Sequence, residues 1–265
     1  IGAIELPWRA PVLSAPQYIT VVLSEKGWVR AAKGHDVKPQ ELNYRTGDEF
    51  AQAAQGRSND VLVFLDSDGR SYNALAHTLP SARGQGEPLS GRFKAKNYAR
   101  FVGVIMGSGD SKVLLASNAG YGFVGTLNDM VTKNKAGKAC LSVPSGGIAL
   151  PPVMIEPSLH EAENANVAAV TNQGRMLVFA LKDLPELAKG KGNKLLNVPS
   201  AAFKSGEEEL VGAVVVGEKD ELLVHAGQRH LRLKAKDLES YAGERARRGR
   251  RLPRGFQKVD RLSVE

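Results

Sequence analysis

The sequence predicts an all-β fold, a propeller-like array of about five blades, on three periodic features. A hairpin with a turn glycine recurs about every 50 residues, a polar–apolar pair follows it at fixed distance, and a basic, glycine-rich box follows that. The hairpins are TVVLSEKGWVR (Thr20 to Arg30), VLVFLDSDGRSY (Val61 to Tyr72), KVLLASNAGYGFV (Lys112 to Val124), NVAAVTNQGRMLVF (Asn166 to Phe179) and ELLVHAGQRHLRL (Glu221 to Leu233). Each joins two apolar runs through a polar turn ending in Gly27, Gly69, Gly120, Gly174 or Gly227. A tight reversal between strands favours a residue that accepts positive φ, so glycine at this place is the signature of a hairpin.

The second landmark is Asp36-Val37, Thr78-Leu79, Asp129-Met130, Asp183-Leu184 and, slipped by one, Asp237-Leu238. The boxes are PSARGQGEP (Pro80 to Pro88), TKNKAGKA (Thr132 to Ala139), KGKGNK (Lys189 to Lys194) and GERARRGRR (Gly243 to Arg251). The first unit has only Lys33-Gly34 in place of a box, and the fifth has a shorter turn, as terminal units of arrays commonly do. PQELNYRTGDEFAQAAQGRSND and EPSLHEAENAN read as polar connections, and Val259 to Val264 as a closing strand. The units fall at 15–55, 56–105, 106–155, 156–210 and 211–265. None carries enough apolar surface to fold alone, so all five should stack into one domain spanning 1–265.

Composition bounds the partners. The chain has 265 residues and a formal charge of +8, with a pI near 9.5. Such a surface attracts polyanions, nucleic acid first and anionic membrane second. The lone Cys140 excludes an internal disulfide, fits a reducing cytosol and reads as a buried structural thiol. No apolar run approaches the ~20 residues of a membrane span. A start at Ile1 rather than methionine suggests a piece cut from a longer protein.

Several chemical motifs are approached and missed. KGKGNK lacks the Gly-Lys-Ser/Thr ending of a phosphate-binding loop, because Asn193 follows Gly192. GYGFVG (Gly120 to Gly125) has the spacing of a dinucleotide fingerprint but sits in a hairpin, with no helix opening at it. His35, His77, His160, His225 and His230 never fall at metal-ligand spacing. Ser71, Ser81 and Asp66 are turn-type residues without a nucleophile elbow. The sequence offers no catalytic constellation.

The boxes differ because they recur at one phase and should emerge on one rim. A single charge run is ordinarily a solvated face, whereas four in register suit a repeating polyanion. Lysine and arginine neutralise phosphate, and glycine lets backbone N–H groups come close to an anion. The candidate phosphate contacts are Lys33, Arg83, Lys133, Lys135, Lys138, Lys189, Lys191, Lys194, Arg245, Arg247, Arg248, Arg250, Arg251 and Arg254. Few aromatics interleave with them, which favours duplex backbone over single-strand stacking.

These residues, in particular GWVRAAKGHD, DGRSY, LPSARGQGEPL, NAGYGF, KGKGNK and GERARRG, closely resemble the C-terminal domain of the A subunit of DNA topoisomerase IV over nearly the whole chain. The resemblance implies a pinwheel with strands exchanged between blades that binds and bends duplex DNA along a basic rim. It implies a role in choosing DNA segments for decatenation and supercoil relaxation. It also implies two protein partners, the N-terminal catalytic part of the same polypeptide and the ATPase subunit of topoisomerase IV, and a cytoplasmic place on the bacterial chromosome. ATP and magnesium would serve the full enzyme, and no cofactor is expected in this chain. The related domain of the gyrase A subunit carries a box of the form Gln-Arg-Arg-Gly-Gly-Lys-Gly, whereas Ser81-Ala82-Arg83-Gly84-Gln85-Gly86 is degenerate, favouring topoisomerase IV. None of Tyr18, Tyr44, Tyr72, Tyr98, Tyr121 or Tyr241 stands in the Arg-Tyr-Thr-like context of that family's nucleophile, which belongs to a different domain. The alternatives are the gyrase DNA-wrapping domain and a propeller scaffold that binds an acidic protein.

Overall fold

A computed structural model describes residues 15–265; the Ile1 start lies outside the described residues. The chain forms five small antiparallel sheets around a channel. From the channel outward, the first sheet runs Phe50–Arg57, Tyr18–Ser24, Trp28–Lys33, Glu87–Pro88. The second runs Phe101–Gly107, Val61–Asp66, Arg70–Asn73, Lys138–Ala139, and the third Val153–Ile155, Lys112–Ala116, Tyr121–Thr126, Asn193–Lys194. The fourth runs Leu210–Val216, Asn166–Thr171, Arg175–Ala180, Arg250–Arg251. The fifth has three strands, Arg261–Val264, Leu222–Ala226 and Arg229–Leu233.

Each hairpin is thus flanked by an inner strand that follows it and, in four sheets, by a two-residue outer strand supplied from beyond the next hairpin. A blade is therefore not one contiguous stretch of sequence. The innermost strands line an axial cavity of about 690 Å³, to which Gln52, Val102, Val153, Ala213 and Leu262 each contribute.

The core lies between blades. Successive strand residues point to opposite faces, so Leu114 packs toward the fourth sheet and Leu115 toward the second. Val21, Leu23 and Phe64 fill the space between sheets one and two, and Val170, Val178 and Val224 that between four and five. Phe64 and Phe123 are fully buried, each worth about 1.5–3 kcal/mol relative to exposure.

The end sheets are finished differently. The segment 34–49 folds over the far face of the first sheet. Arg30, 3% exposed, stacks its guanidinium 4.8 Å from the Tyr44 ring centre and donates to the Asn43 carbonyl at 2.8 Å. The Arg45 guanidinium lies 3.9 Å from the Trp28 ring, and Ser24 Oγ donates to the Asp48 carboxylate at 2.6 Å. The far face of the fifth sheet is polar instead, carrying the cross-strand pair His225 and His230, with their Nδ1 atoms 2.8 Å apart. Among the described residues, no hydrophobic cluster joins sheets one and five.

All five turn glycines have positive φ: Gly27 80°, Gly69 82°, Gly120 94°, Gly174 76° and Gly227 59°. The second landmark is a single helical turn in units two to five, seating Leu79, Met130, Leu184 and Leu238 in the core. In unit one the turn forms later, at Pro39–Glu41, and Val37 is half-buried. The stretch expected to be a polar connection, PQELNYRTGDEFAQAAQGRSND, contains the eight-residue strand Phe50–Arg57. The channel explains the difference, because a strand lining an open cavity need not alternate strongly apolar residues. The closing strand forms at Arg261–Val264. Among the described residues, no helix exceeds the six residues of Ser200–Ser205.

Candidate nucleic-acid interface

Each box begins beyond the second landmark and is followed, within two residues, by a buried leucine whose backbone N–H reaches back to a turn glycine one blade earlier. Leu89 donates to the Gly27 carbonyl at 2.9 Å, Leu141 to Gly69 at 3.0 Å, Leu195 to Gly120 at 2.8 Å and Leu252 to Gly174 at 2.8 Å. The box is thereby laid along the outer edge of the preceding sheet, opposite the channel.

One glycine in each box serves this docking. Gly86, Gly137, Gly192 and Gly249 all have positive φ. A β-carbon on Gly192 would strike the Gly122 carbonyl oxygen, one on Gly86 that of Val29, and one on Gly249 that of Met176. One on Gly137 would meet the Tyr72 ring. Only glycine permits so close an approach of one backbone to another.

Arginines that the repeat pattern did not single out hold three boxes from beneath. Arg30 Nη1 donates to the Gly84 carbonyl at 2.7 Å. Arg70 donates through Nε to Ala136 at 3.0 Å and through Nη2 to Gly137 at 2.8 Å. Arg175 Nη1 reaches Gly249 at 3.4 Å. In the third sheet Tyr121 takes that place, 4.3 Å from Lys191 Nζ and 5.9 Å from Lys194 Nζ. For Arg70 and Arg175 the sequence signal is DGR and QGR, an arginine directly after the turn glycine; Arg30, three residues past Gly27, carries no such signal.

The structure sorts the candidate cations. Arg83, Lys133, Lys135, Lys189, Arg250, Arg251 and Arg254 are exposed and form no ion pair among the described residues. Lys191 is exposed above Tyr121, while Lys138 and Lys194 are half-buried on outer strands. Lys194 Nζ donates to Asn197 Oδ1 at 3.3 Å. Two arginines are engaged internally: Arg245 donates to the Lys194 carbonyl at 2.7 Å, and Arg248 pairs with the 3% exposed Glu208 at 3.0 Å; Arg247 is exposed and pairs with the equally exposed Glu244 at 3.0 Å. Lys33 is exposed but stands at the opposite end of its strand from the outer-strand pairing at Trp28 and Val29.

The tempting catalytic residues are structural here. Ser71 Oγ donates to the Met130 carbonyl at 2.7 Å, and the Tyr72 hydroxyl donates to the Asp66 carboxylate at 2.7 Å. Cys140 is buried with its Sγ 3.1 Å from Ser71 Oγ, and burial pushes its thiol pKa up. Among the described residues, no group of three or more His, Cys, Asp or Glu side chains is placed to hold a metal ion.

Five sheets about a channel, four of them completed by an outer strand from the following unit, define a five-bladed β-pinwheel of the propeller type. No family model matches the chain. Over 247 residues, 93% of its length, it is 52% identical to the A subunit of DNA topoisomerase 4 from Pseudomonas aeruginosa. The corresponding protein of Escherichia coli K12 is 47% identical over the same share. The solved structure of the E. coli ParC C-terminal domain superimposes with a TM-score of 0.78 at 46% identity, covering 94% of this chain and 99% of that one. The gyrase A C-terminal domain shares the fold, with a TM-score of 0.66 at 15% identity over 92% of this chain and 81% of that one. The chain belongs to the family of C-terminal domains of the topoisomerase IV A subunit. It spans about a third, 32%, of the curated relatives it matches.

Proposed function

We propose that this chain is the non-catalytic, duplex-DNA-binding part of a topoisomerase IV A subunit, and that its outer rim bends the DNA it holds. The observation that carries this reading is the repetition of one construction. Four boxes dock by the same glycine–leucine hydrogen bond on the outer edges of four successive sheets, presenting Arg83, Lys133, Lys135, Lys189, Arg250 and Arg251 without carboxylate partners among the described residues.

Cations fixed at intervals around a curved edge match a chain of phosphates that curves with it. Each phosphate neutralised releases about 0.9 of a counterion, and the entropy of that release drives binding. Bending 20–30 base pairs through 40–90° costs on the order of 1–6 kcal/mol, which only contacts spread over several blades can repay. Because the boxes present phosphate grips and no recognition helix, sequence preference should be small. The longer protein would supply the catalytic part, and a second polypeptide the ATPase with ATP and magnesium, for decatenation and supercoil relaxation on the bacterial chromosome. No helix of the described residues is long and apolar enough to cross a membrane.

The 52% and 47% identities to topoisomerase 4 A subunits favour topoisomerase IV over gyrase. A gel-shift titration over duplex lengths at several salts tests the reading. Affinity should fall steeply with salt and rise with length until the rim is filled. Binding that ignores salt would overturn it and favour a scaffold for a protein partner.

A further inference from the structure

The four outer-strand pairings occupy equivalent places, yet one is built unlike the rest. Trp28 stands opposite Pro88, Arg70 opposite Ala139, and Tyr121 opposite Lys194. In the fourth sheet Arg175 stands opposite Arg251. Like charges directly opposite one another destabilise a strand pair. Neither arginine forms an ion pair among the described residues, and Arg175 has only a long hydrogen bond to the Gly249 carbonyl, at 3.4 Å.

These two side chains wall a recess of about 370 Å³, together with Arg248, Gln173, Gln257 and Glu208. Glu208 is consumed: its carboxylate takes both Nη atoms of Arg248 at 3.0 Å and the Thr171 hydroxyl at 3.1 Å. The Arg248 guanidinium also donates to the Asn197 carbonyl at 2.9 Å, so it is held rigidly in place. Glu207, exposed at the mouth, makes no ion pair among the described residues. Burial, then the neighbouring Arg248 and Arg251, lower the Arg175 pKa, as expected of a cation held among cations.

We propose that the recess walled by Arg175, Arg248 and Arg251 is a built seat for one phosphate group. A phosphate oxygen between Arg175 and Arg251 would turn an opposed pair into a two-armed clamp, with planar guanidinium forks offering bidentate donors. Gln257 offers a further amide donor at the mouth, while Gln173 Nε2 already donates to the Glu207 carbonyl at 2.6 Å. The group comes either from the backbone of bound duplex, in which case the seat rests on the DNA-binding reading and sets a fixed register at the fourth blade, or from a free phosphate.

The test follows the arginine side-chain N–H resonances of the folded chain during titration with inorganic phosphate and, separately, a 12-base-pair duplex. Three single variants are compared: Arg175→Gln, Arg251→Gln and, as a charge-matched control outside the recess, Lys219→Gln. Saturable shifts at Arg175 and Arg251 with either ligand, weakened at least tenfold by the recess variants and less than twofold by the control, support the seat. Shifts with duplex assign the group to the DNA backbone. Shifts with phosphate alone assign it to a free anion, and remain informative if duplex binding itself fails. Absence of saturable shifts with both ligands, or equal weakening by all three variants, overturns the proposal.

Discussion

The backbone N–H of Leu195 lies 2.8 Å from the carbonyl oxygen of Gly120, so the residue that directly follows one unit's box is pinned to the turn of the previous unit. With its three counterparts, this contact makes each box part of the sheet before it. Rim chemistry and blade assembly are thus coupled.

Replacing Gly192 by alanine should damage the fold more than its exposed loop suggests. The residue has φ of 80°, and its new β-carbon would press on the Gly122 carbonyl. The left-handed conformation alone costs roughly 1–2 kcal/mol, and the collision adds to it. Gly34→Ala, with φ of 84° and nothing within 4 Å, isolates the conformational part. Urea unfolding of the two variants should show Gly192→Ala clearly less stable.

Arg70 should matter to its box without touching a ligand. Its two hydrogen bonds to the Ala136 and Gly137 carbonyls hold the segment that presents Lys133 and Lys135. Hydrogen bonds from a charged donor contribute about 1.5–3 kcal/mol. Arg70→Met should therefore speed amide exchange through 134–139 while sparing the inner strand Phe101–Gly107. Unchanged exchange would mean that the box is held by Leu141 alone.

Much of this architecture was legible because its devices are local. A positive-φ turn demands glycine, and five glycines in register announced five hairpins. The boxes were equally visible, but the contact that requires Gly192 was not: the approach is to Gly122, 70 positions away and in another unit. A two-residue outer strand has no periodicity of its own, so the exchange between blades could not be seen in the residues. Phe50–Arg57 lacks a strong strand pattern because it faces the channel, where Ala and Gln suffice. Arg30, Arg70 and Arg175 read as ordinary hairpin residues until their carbonyl partners are known.

The Asp66–Tyr72 pair should give a pH signature. Burial raises the Asp66 pKa above its ordinary 3.8, despite hydrogen bonds from the Tyr72 hydroxyl and from the backbone N–H groups of Arg70 and Asp68. A raised carboxyl pKa means that the folded state binds the proton more tightly. Its stabilising contribution is complete below 3.8 and is lost as pH rises through the raised value. Asp66→Asn should gain relative to the parent as pH rises through that window, since its amide can donate to the tyrosine oxygen. Tyr72→Phe should cost about 1–3 kcal/mol at neutral pH, where the carboxylate loses a buried donor, and less in acid. Thermal melts across pH check both signs.

The box KGKGNK gives the most direct test of the rim. Lys189 and Lys191 are exposed and Lys194 is half-buried. None forms a carboxylate ion pair among the described residues, so a phosphate would meet charges that no internal acid has already neutralised. If each contacts one phosphate, changing all three to alanine should flatten the slope of log affinity against log salt by roughly two to three units. The loss should be uniform over sequences and larger for long duplexes, which must curve to reach several blades, than for short ones held by a single blade. Most of the fold's stability should survive, because exposed lysines usually contribute within ~0.5 kcal/mol. Lys194 adds the loss of its bond to Asn197 Oδ1, and Lys191 that of its place over Tyr121. Titrating parent and triple variant on short and long duplexes at several salts decides the matter: an unchanged slope in a folded variant would move the DNA path away from the third blade, toward Arg250, Arg251 and Arg254 on the fourth.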